Sequence, residues 1–176
     1  MDAFVWTPDG PQGLEGLLKR RQRWREEGRV VVTTNGCFDL LHPGHLRFLQ
    51  QARAQGEVLI VGLNSDASVR QLKGPGRPLL PQEDRAAMLA ALRCVDEVVI
   101  FDELLANGLL ALLRPDIHCK GGDYTAGELP EAEVICQGGG QVRILPFSAG
   151  YSTSALVQSI REEGQPPDLT HRGASG

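Results

Sequence analysis

Two histidines, His42 and His45, stand three residues apart in the segment His42-Pro43-Gly44-His45. The apolar run Val30–Thr34 and a glycine turn precede them, and a helix is predicted over Pro43–Gln55. Proline suits the first helical position, because its missing N–H costs nothing there. The free N–H groups and the positive dipole end of such a helix bind anions. Two imidazoles beside that end indicate an enzyme that holds a phosphate and stabilises its changing charge.

Lysine is rare in this chain, and its positions are informative. Three of the 18 Lys and Arg residues are lysine, and two of these, Lys73 and Lys120, are followed directly by glycine. Lysine offers a compact ammonium on a flexible stem, which differs chemically from the planar arginine fork. Both positions are therefore candidate contacts for a phosphorylated ligand, against the alternative of an ordinary exposed lysine.

Short apolar runs alternate with helical segments along most of the chain. The predicted strands are Val30–Thr34, Glu57–Leu63, Glu97–Phe101, Asp116–Cys119 and Gln141–Leu145. The predicted helices are Gly13–Gly28, Pro43–Gln55, a segment capped by Ser65 and ending at Lys73, Gln82–Arg93, Glu103–Leu113, Leu129–Gln137 and Ser152–Glu162. This alternation predicts a single-domain, doubly wound α/β fold with a five-stranded parallel sheet.

The unusual loops of the chain all follow predicted strands. They are Asn35–His45, Asn64–Arg77, Lys120–Asp123 and Ser148–Ser154. In open parallel sheets, ligands bind beyond the carboxyl ends of the strands, where the strand order reverses. We therefore expect these four loops to meet at one edge of the sheet and to form the site.

The predicted organisation is a helical extension over residues 1–28, a catalytic domain over 29–162 and a disordered tail over 163–176. The extension carries Lys19, Arg20, Arg21, Arg23 and Arg25, followed by two glutamates. A solvated helix face is the preferred interpretation of this basic cluster, and contact with nucleic acid is the alternative.

Composition limits the classes of function. The 176 residues are 41% hydrophobic and 23% charged, as in globular proteins, and the net charge of −4 disfavours a nucleic-acid binder. No apolar run approaches the ~20 residues that span a bilayer, and the N-terminus does not resemble a signal peptide. Four widely spaced cysteines favour free thiols over a disulfide or a zinc site. These features predict a cytoplasmic protein without a membrane partner.

The segment Gly36-Cys37-Phe38-Asp39-Leu40-Leu41-His42-Pro43-Gly44-His45 resembles the G-x-F-D-x-x-H-x-G-H signature of the cytidylyltransferase-like nucleotidyltransferases. Ser152-Thr153-Ser154 resembles the second signature of that family, a hydroxyl triplet that opens the last helix, although the family more often has threonine at the third position. Some further segments are similar to members that transfer AMP to D-glycero-D-manno-heptose 1-phosphate: Thr34–Asp39, Asn64–Asp66, Leu72–Gly74, Arg77-Pro78, Val95-Asp96 and Lys120–Tyr124.

The resemblance implies a Rossmann-like nucleotidyltransferase fold and a reaction. The implied enzyme transfers AMP from ATP to the heptose 1-phosphate, giving ADP-heptose and pyrophosphate for heptose-containing glycan or lipopolysaccharide synthesis. Mg²⁺ is expected with ATP, held by substrate phosphates, with no protein ligand assigned. A homodimer and a separate sugar kinase acting upstream are also expected.

The resemblance further implies roles for individual residues. The catalytic residues are His42, His45 and Lys73. The nucleotide-binding residues are Asn35, Gly36, Cys37, Phe38, Asp39, Gly44, Lys120, Gly121, Asp123, Tyr151, Ser152, Thr153 and Ser154. Substrate or structural support is expected from Asn64, Arg77, Arg85, Arg93 and Asp96.

Some of these roles are more specific. Arg93 and Asp96 are expected to pair at the edge of the site, with Arg85 the weaker candidate. Asp39 is expected to orient the histidines or to hold the Mg²⁺ shell. Asp123 is expected either to bind ribose hydroxyls or to cap a turn.

Two other functions remain open from the sequence. One is a cytidylyltransferase for glycerol 3-phosphate or another small phosphate ester. The other is a non-catalytic module that binds nucleotides or nucleic acid through its basic N-terminal helix.

Overall fold

One parallel sheet organises the chain. A computed structural model describes residues 4–7, 13–122, 129–146 and 152–161, and within them the sheet has six strands. They are β1 Phe4–Trp6, β2 Val31–Gly36, β3 Val58–Asn64, β4 Glu97–Phe101, β5 Ile117–Gly121 and β6 Gln141–Leu145. The spatial order is β1-β4-β3-β2-β5-β6, and every neighbouring pair is parallel.

Helices cover both faces of this sheet. They are α1 Gly13–Glu26, α2 Pro43–Arg53, α3 Asp66–Lys73, α4 Gln82–Ala90, α5 Asn107–Leu113, α6 Ala132–Gln137 and α7 Thr153–Arg161. Successive strand residues alternate between two cores: Val32 and Leu59 pack with α2 and α4, whereas Val31 and Val58 pack with α1 and α5. Since side chains alternate across a strand, two buried faces require this continuous apolar pattern. The predicted doubly wound α/β fold is confirmed.

The predicted strand count of five is wrong, because β1 also joins the sheet. It is only three residues long, and it pairs with the outer edge of β4 through Phe4 opposite Glu97. The indole Nε1 of Trp6 donates a hydrogen bond of 2.6 Å to the buried Glu97 carboxylate. A strand this short has no recognisable period in sequence, and its partner β4 is more than 90 residues away.

The basic residues of α1 do more than form a solvated face. Arg21 is 4% exposed and donates to the carbonyls of Leu113 and Arg114 at the end of α5. Arg20 pairs with Glu97 at 2.7 Å. Two of the basic side chains therefore anchor the helix to the sheet and to α5, which corrects the interpretation from sequence. The segment predicted as an extension, 1–28, thus contributes packing to the sheet through both β1 and α1.

The strand order reverses between β2 and β5. From β2 the chain adds β3 and β4 on one side, and then returns to add β5 and β6 on the other. The carboxyl ends of β2, β3 and β5 face the same edge, and the loops that follow them lie there. No helix among the described residues is long and apolar enough to cross a membrane.

Candidate active site

A cavity of about 760 Å³ opens at the carboxyl ends of the strands. Most of the residues predicted for the site line it: Asn35, Gly36, Cys37, Phe38, Asp39, His42, His45, Asn64, Lys73, Arg77, Lys120, Gly121, Ser152, Thr153 and Ser154. Three of the four predicted loops meet here within the described residues, and the fourth contributes its last three residues. The sequence assigned no site role to the other lining residues, which are Thr34, Phe48, Val69, Leu72, Leu104, Leu105 and Glu131.

The imidazoles of His42 and His45 are stacked, with ring centroids 3.8 Å apart and planes inclined by 15°. His42 is the N-cap of α2, and its Nδ1 accepts a hydrogen bond from the backbone N–H of His45 at 3.3 Å. Pro43 fills the first helical position, as predicted. Because Nδ1 of His42 is an acceptor, the proton of the neutral ring resides on Nε2. An N–H group of this kind can donate to a phosphate oxygen.

Burial favours the neutral form of both rings. It lowers the pKa of His45 to about 4, with the neighbouring His42 acting in the same direction and the Leu40 carbonyl opposing both. Burial also lowers the pKa of His42. A negative charge beside the rings acts in the opposite direction, because it favours the protonated form.

Asp39 holds the loop that follows α3. Its Oδ2 accepts a hydrogen bond of 2.6 Å from Arg77, and its Oδ1 accepts from the backbone N–H groups of Leu79 and Leu80. The carboxylate is 7% exposed. Both oxygens are thus occupied by the loop, which gives Asp39 contacts different from those expected with the histidines or a Mg²⁺ shell. Its role toward a nucleotide stays a prediction.

The Arg85 side chain binds three segments of backbone that surround the cavity. Its side chain is fully buried and donates to the carbonyls of Cys37, Asn64 and Leu80. It also pairs with Asp66 at 2.7 Å. The turn after β2, the end of β3 and the loop before α4 are therefore fixed to one guanidinium. Sequence reasoning ranked Arg85 below Arg93 and Asp96, and the contacts reverse that order.

The predicted pair of Arg93 and Asp96 is wrong. Asp96 accepts from the Leu59 backbone N–H at 2.8 Å and pairs with Arg53 at 3.0 Å, while Arg93 is exposed. Leu59 lies near the amino end of β3, and Asp96 directly precedes β4. Both lie at the edge of the sheet opposite the cavity, because parallel strands all point the same way. Asp96 stabilises the start of the strands.

Lys73 ends α3 and lines the cavity with an exposed side chain. Ser65 caps this helix by accepting from the Ser68 N–H, as the sequence predicts. Lys73 is the last residue of the helix, as the sequence predicts, and Gly74 follows with a φ of 94°. Within the described residues, Lys73 has no ion pair. It supplies the unbalanced positive charge of this wall.

Lys120 enters the cavity from the end of β5. Its Nζ donates to Asn35 Oδ1 at 3.1 Å and to Glu131 Oε1 at 2.6 Å. Glu131, in the turn before α6, is 2% exposed. Burial works to raise its pKa, but the hydrogen bond and charge of Lys120 outweigh burial and leave the pKa lowered. Sequence reasoning missed Glu131, since an acidic residue before a helix is the ordinary signal of a helix start.

The helix α7 begins beside the first turn of α2. Ser152 precedes it, and Thr153 Oγ1 lies 3.5 Å from the Leu40 carbonyl. Ser152, Thr153 and Ser154 all line the cavity, so a second helix N-terminus opens into it. Gly44 is buried in the first turn of α2 and does not line the cavity. Asp123 and Tyr151 lie outside the described residues, as does the predicted tail.

Comparisons with known proteins show which family the chain resembles. The cytidylyltransferase-like family model matches residues 33–158. The bifunctional protein HldE of Geobacter sulfurreducens is 51% identical over 77% of this chain, and that of Pseudomonas aeruginosa is 48% identical over 88%. The chain spans only 28% and 33% of the length of these two relatives.

A solved structure is also similar. The lipopolysaccharide core biosynthesis protein from Thermoplasma volcanium is 29% identical, with a TM-score of 0.56 over 69% of this chain and 98% of that protein. The family match covers the paired histidines, the cavity loops and the start of α7. With this geometry and this match, the chain belongs to the cytidylyltransferase-like family of nucleotidyltransferases.

Proposed function

We propose that the chain transfers AMP from ATP to D-glycero-D-manno-heptose 1-phosphate, giving ADP-heptose and pyrophosphate. The observation that carries the proposal is the stacked pair of His42 and His45 at the start of α2, in one cavity with Lys73 and the start of α7. The donors of two helix N-termini and the ammonium of Lys73, which has no ion pair among the described residues, line this cavity, and such donors suit a polyphosphate. The identity with the HldE proteins and the similar lipopolysaccharide core biosynthesis protein support a heptose substrate.

In the proposed reaction, an oxygen of the sugar phosphate attacks the α-phosphorus of ATP. A new P–O bond forms, the bond from the α-phosphorus to the bridging oxygen breaks, and pyrophosphate leaves with that electron pair. The attacking phosphate is already ionised near pH 7, so no general base is required. Catalysis then depends on positioning and on stabilising charge.

The residues divide this work. His42 and His45 donate to the α-phosphate and to the leaving oxygen as negative charge develops there. Lys73, which lines the same cavity, balances charge on these phosphates as a mobile point charge. Ser152, Thr153 and the free N–H groups of α7 receive the terminal phosphates.

Mg²⁺ belongs to the proposal as a partner of ATP. Among the described residues, no three His, Cys, Asp or Glu side chains form a metal site. The carboxylates on the described cavity wall, Asp39 and Glu131, already face Arg77 and Lys120. This donor set leaves the ion to the phosphate oxygens, which Mg²⁺ prefers. There it supplies positive charge to the leaving pyrophosphate.

The two substrates of the proposed reaction point to the cytoplasm and to an upstream kinase. ATP and a phosphorylated sugar are available in the cytoplasm, and a kinase-type reaction must supply a phosphate at the anomeric carbon. The homodimer stays a prediction, which light scattering of the purified chain checks directly.

Pyrophosphate release tests the reaction. We expect turnover with ATP plus the heptose 1-phosphate, and much slower turnover with other sugar 1-phosphates. CTP with glycerol 3-phosphate is the competing pair, because the family includes cytidylyltransferases. Turnover with CTP alone would refute the adenylyl transfer, and turnover with ATP and a different sugar phosphate would refute the heptose assignment.

A further inference from the structure

A polar ladder crosses the point where the strand order reverses. On β2, Thr33 and Asn35 share one face, and on β5, His118 and Lys120 share the same face. Thr33 Oγ1 and His118 Nδ1 are 2.9 Å apart, and Lys120 donates to Asn35. Two polar rungs therefore join β2 to β5, one fully buried and one at the cavity wall.

Glu131, which lies outside the sheet, adds a second partner to the contact between Asn35 and Lys120. It reaches Lys120 from the turn before α6, and its carboxylate is almost completely buried. Its second oxygen, Oε2, is also buried and has no hydrogen-bond partner from another described residue. Burial of a charged group is costly unless a partner compensates it. The partner that compensates the buried Glu131 carboxylate is the Lys120 ammonium.

The pairing changes what Lys120 can bind. Its ammonium has three N–H donors, and two of them are used by Asn35 and Glu131. Among the contacts of the described residues, one N–H remains for a ligand, and the adjacent carboxylate cancels the positive charge. A phosphate gains little from a neutral pair, and Glu131 repels it. Hydroxyl groups suit this end better, since they can accept from Lys120 and donate to a carboxylate.

We propose that Glu131 is a positioning residue, which neutralises Lys120 and directs its remaining N–H to the hydroxyl groups of a sugar ring. This end of the cavity then binds the uncharged part of a substrate, and the phosphates lie toward Lys73 and the histidines. The inference deepens the proposed function and rests on it for the two sources of such hydroxyls, the ribose of ATP and the sugar of the second substrate.

The experiment compares Glu131→Gln with Glu133→Gln in the full chain. Glu133 is the matched control, because it is exposed on α6 and bonds only Gln137 among the described residues. Calorimetry measures the Kd of ATP, 2′-deoxyATP, 3′-deoxyATP and inorganic pyrophosphate, and turnover gives the KM of the sugar 1-phosphate. Glu131→Asp keeps the charge and serves if the glutamine variant folds poorly, which its Tm reports.

We expect Glu131→Gln to weaken ATP about tenfold, as for loss of a charge-assisted hydrogen bond, and to leave pyrophosphate binding equal or tighter. In the wild type, deoxyATP should bind more weakly than ATP, and the variant should lose this difference. Combined with Lys120→Met, Glu131→Gln should add no further loss, because it acts through Lys120. Glu133→Gln should match the wild type throughout.

The outcomes separate the sources and the hypotheses. An unchanged ATP affinity with a raised KM for the sugar phosphate assigns the hydroxyls to the second substrate. Equal losses for ATP and pyrophosphate, additive losses with Lys120→Met, or equivalence to Glu133→Gln would overturn the positioning role. A wild-type chain that binds ATP without turning over the heptose phosphate refutes the proposed reaction and leaves this test intact. A wild-type chain that binds neither ATP nor the sugar phosphate overturns both.

Discussion

A single hydrogen bond determines which nitrogen of the His42 ring carries the proton. The N-cap contact from the His45 backbone to His42 Nδ1 fixes the proton of the neutral ring on Nε2. The His45 ring stacks on the His42 ring, with the two ring centroids 3.8 Å apart. The same residues that start α2 therefore supply oriented donors. This is why the two histidines must stand three residues apart, at the first turn of a helix.

Replacement of His45 by alanine tests the donor role. We expect turnover to fall by more than about two orders of magnitude, as for removal of a donor that stabilises developing charge. The matched control is Gln50→Ala, since Gln50 is exposed on the same helix. Pyrophosphate release measures both variants. Near-normal turnover of His45→Ala would refute the role.

The buried His118 makes stability depend on pH. Burial lowers its pKa from 6.5 to about 4, with Lys120 adding to this effect and Glu131 opposing it. Between those values the unfolded chain binds the proton and the folded chain does not, so the free energy of unfolding falls as the pH drops from about 6.5 toward 4. The loss is about 3 kcal/mol at most for one such group.

Urea titrations of the wild type and His118→Gln at several pH values measure this effect. Glutamine stays neutral, and its amide can still reach Thr33, so the slope of stability against pH should decrease in the variant. Identical slopes for the two proteins would contradict the assignment of this proton uptake to His118.

Among the elements, the segment between β3 and α4 is bound by charged side chains from outside it. Asp39 binds the Arg77–Leu80 stretch from one side, and Arg85 binds Leu80 from the other. Helix α3, which presents Lys73, is fixed to the same guanidinium through Asp66. Two charged residues outside this segment therefore determine where it lies against the cavity.

Arg85→Lys tests this anchoring. Lysine keeps the charge but cannot fork to several carbonyls, so buried acceptors lose their donors, and the free energy of unfolding should fall by about 2 kcal/mol or more. Arg93→Lys makes the same change at an exposed site and should cost less than about 0.5 kcal/mol. Chemical denaturation measures both. Equal stabilities of the two variants would show that Arg85 is not an anchor.

At the scale of the whole molecule, the sequence predicts elements that have strong periodicity and misses contacts made across the fold. Glu97–Phe101 and Gln141–Leu145 are strands with the predicted bounds. Other elements begin or end within a few residues of prediction, as α2 does at Arg53. β1 was not predicted, because a strand of three residues is too short to show an alternation of apolar and polar residues. Its strand conformation depends on pairing with β4, which is distant in sequence.

The site follows the same division. Residues within a local motif, such as His42 and His45, lie where the sequence predicts. Ion pairs between residues that are distant in sequence were not predicted. Asp96 pairs with Arg53 rather than Arg93, and Lys120 pairs with Glu131. No spacing rule connects these residues, because their proximity comes from the order of strands and from the turn before α6.

The two tryptophans of the chain are not among the residues that line the cavity. Trp6 and Trp24 are buried in the core formed with α1 and β1, and neither lines the cavity. Their fluorescence should therefore follow the unfolding of the β1 edge and remain almost unchanged when a nucleotide binds. Tryptophan fluorescence can therefore report the folding of each variant. Denaturation curves recorded with and without ATP should then differ only by the effect of ATP on stability.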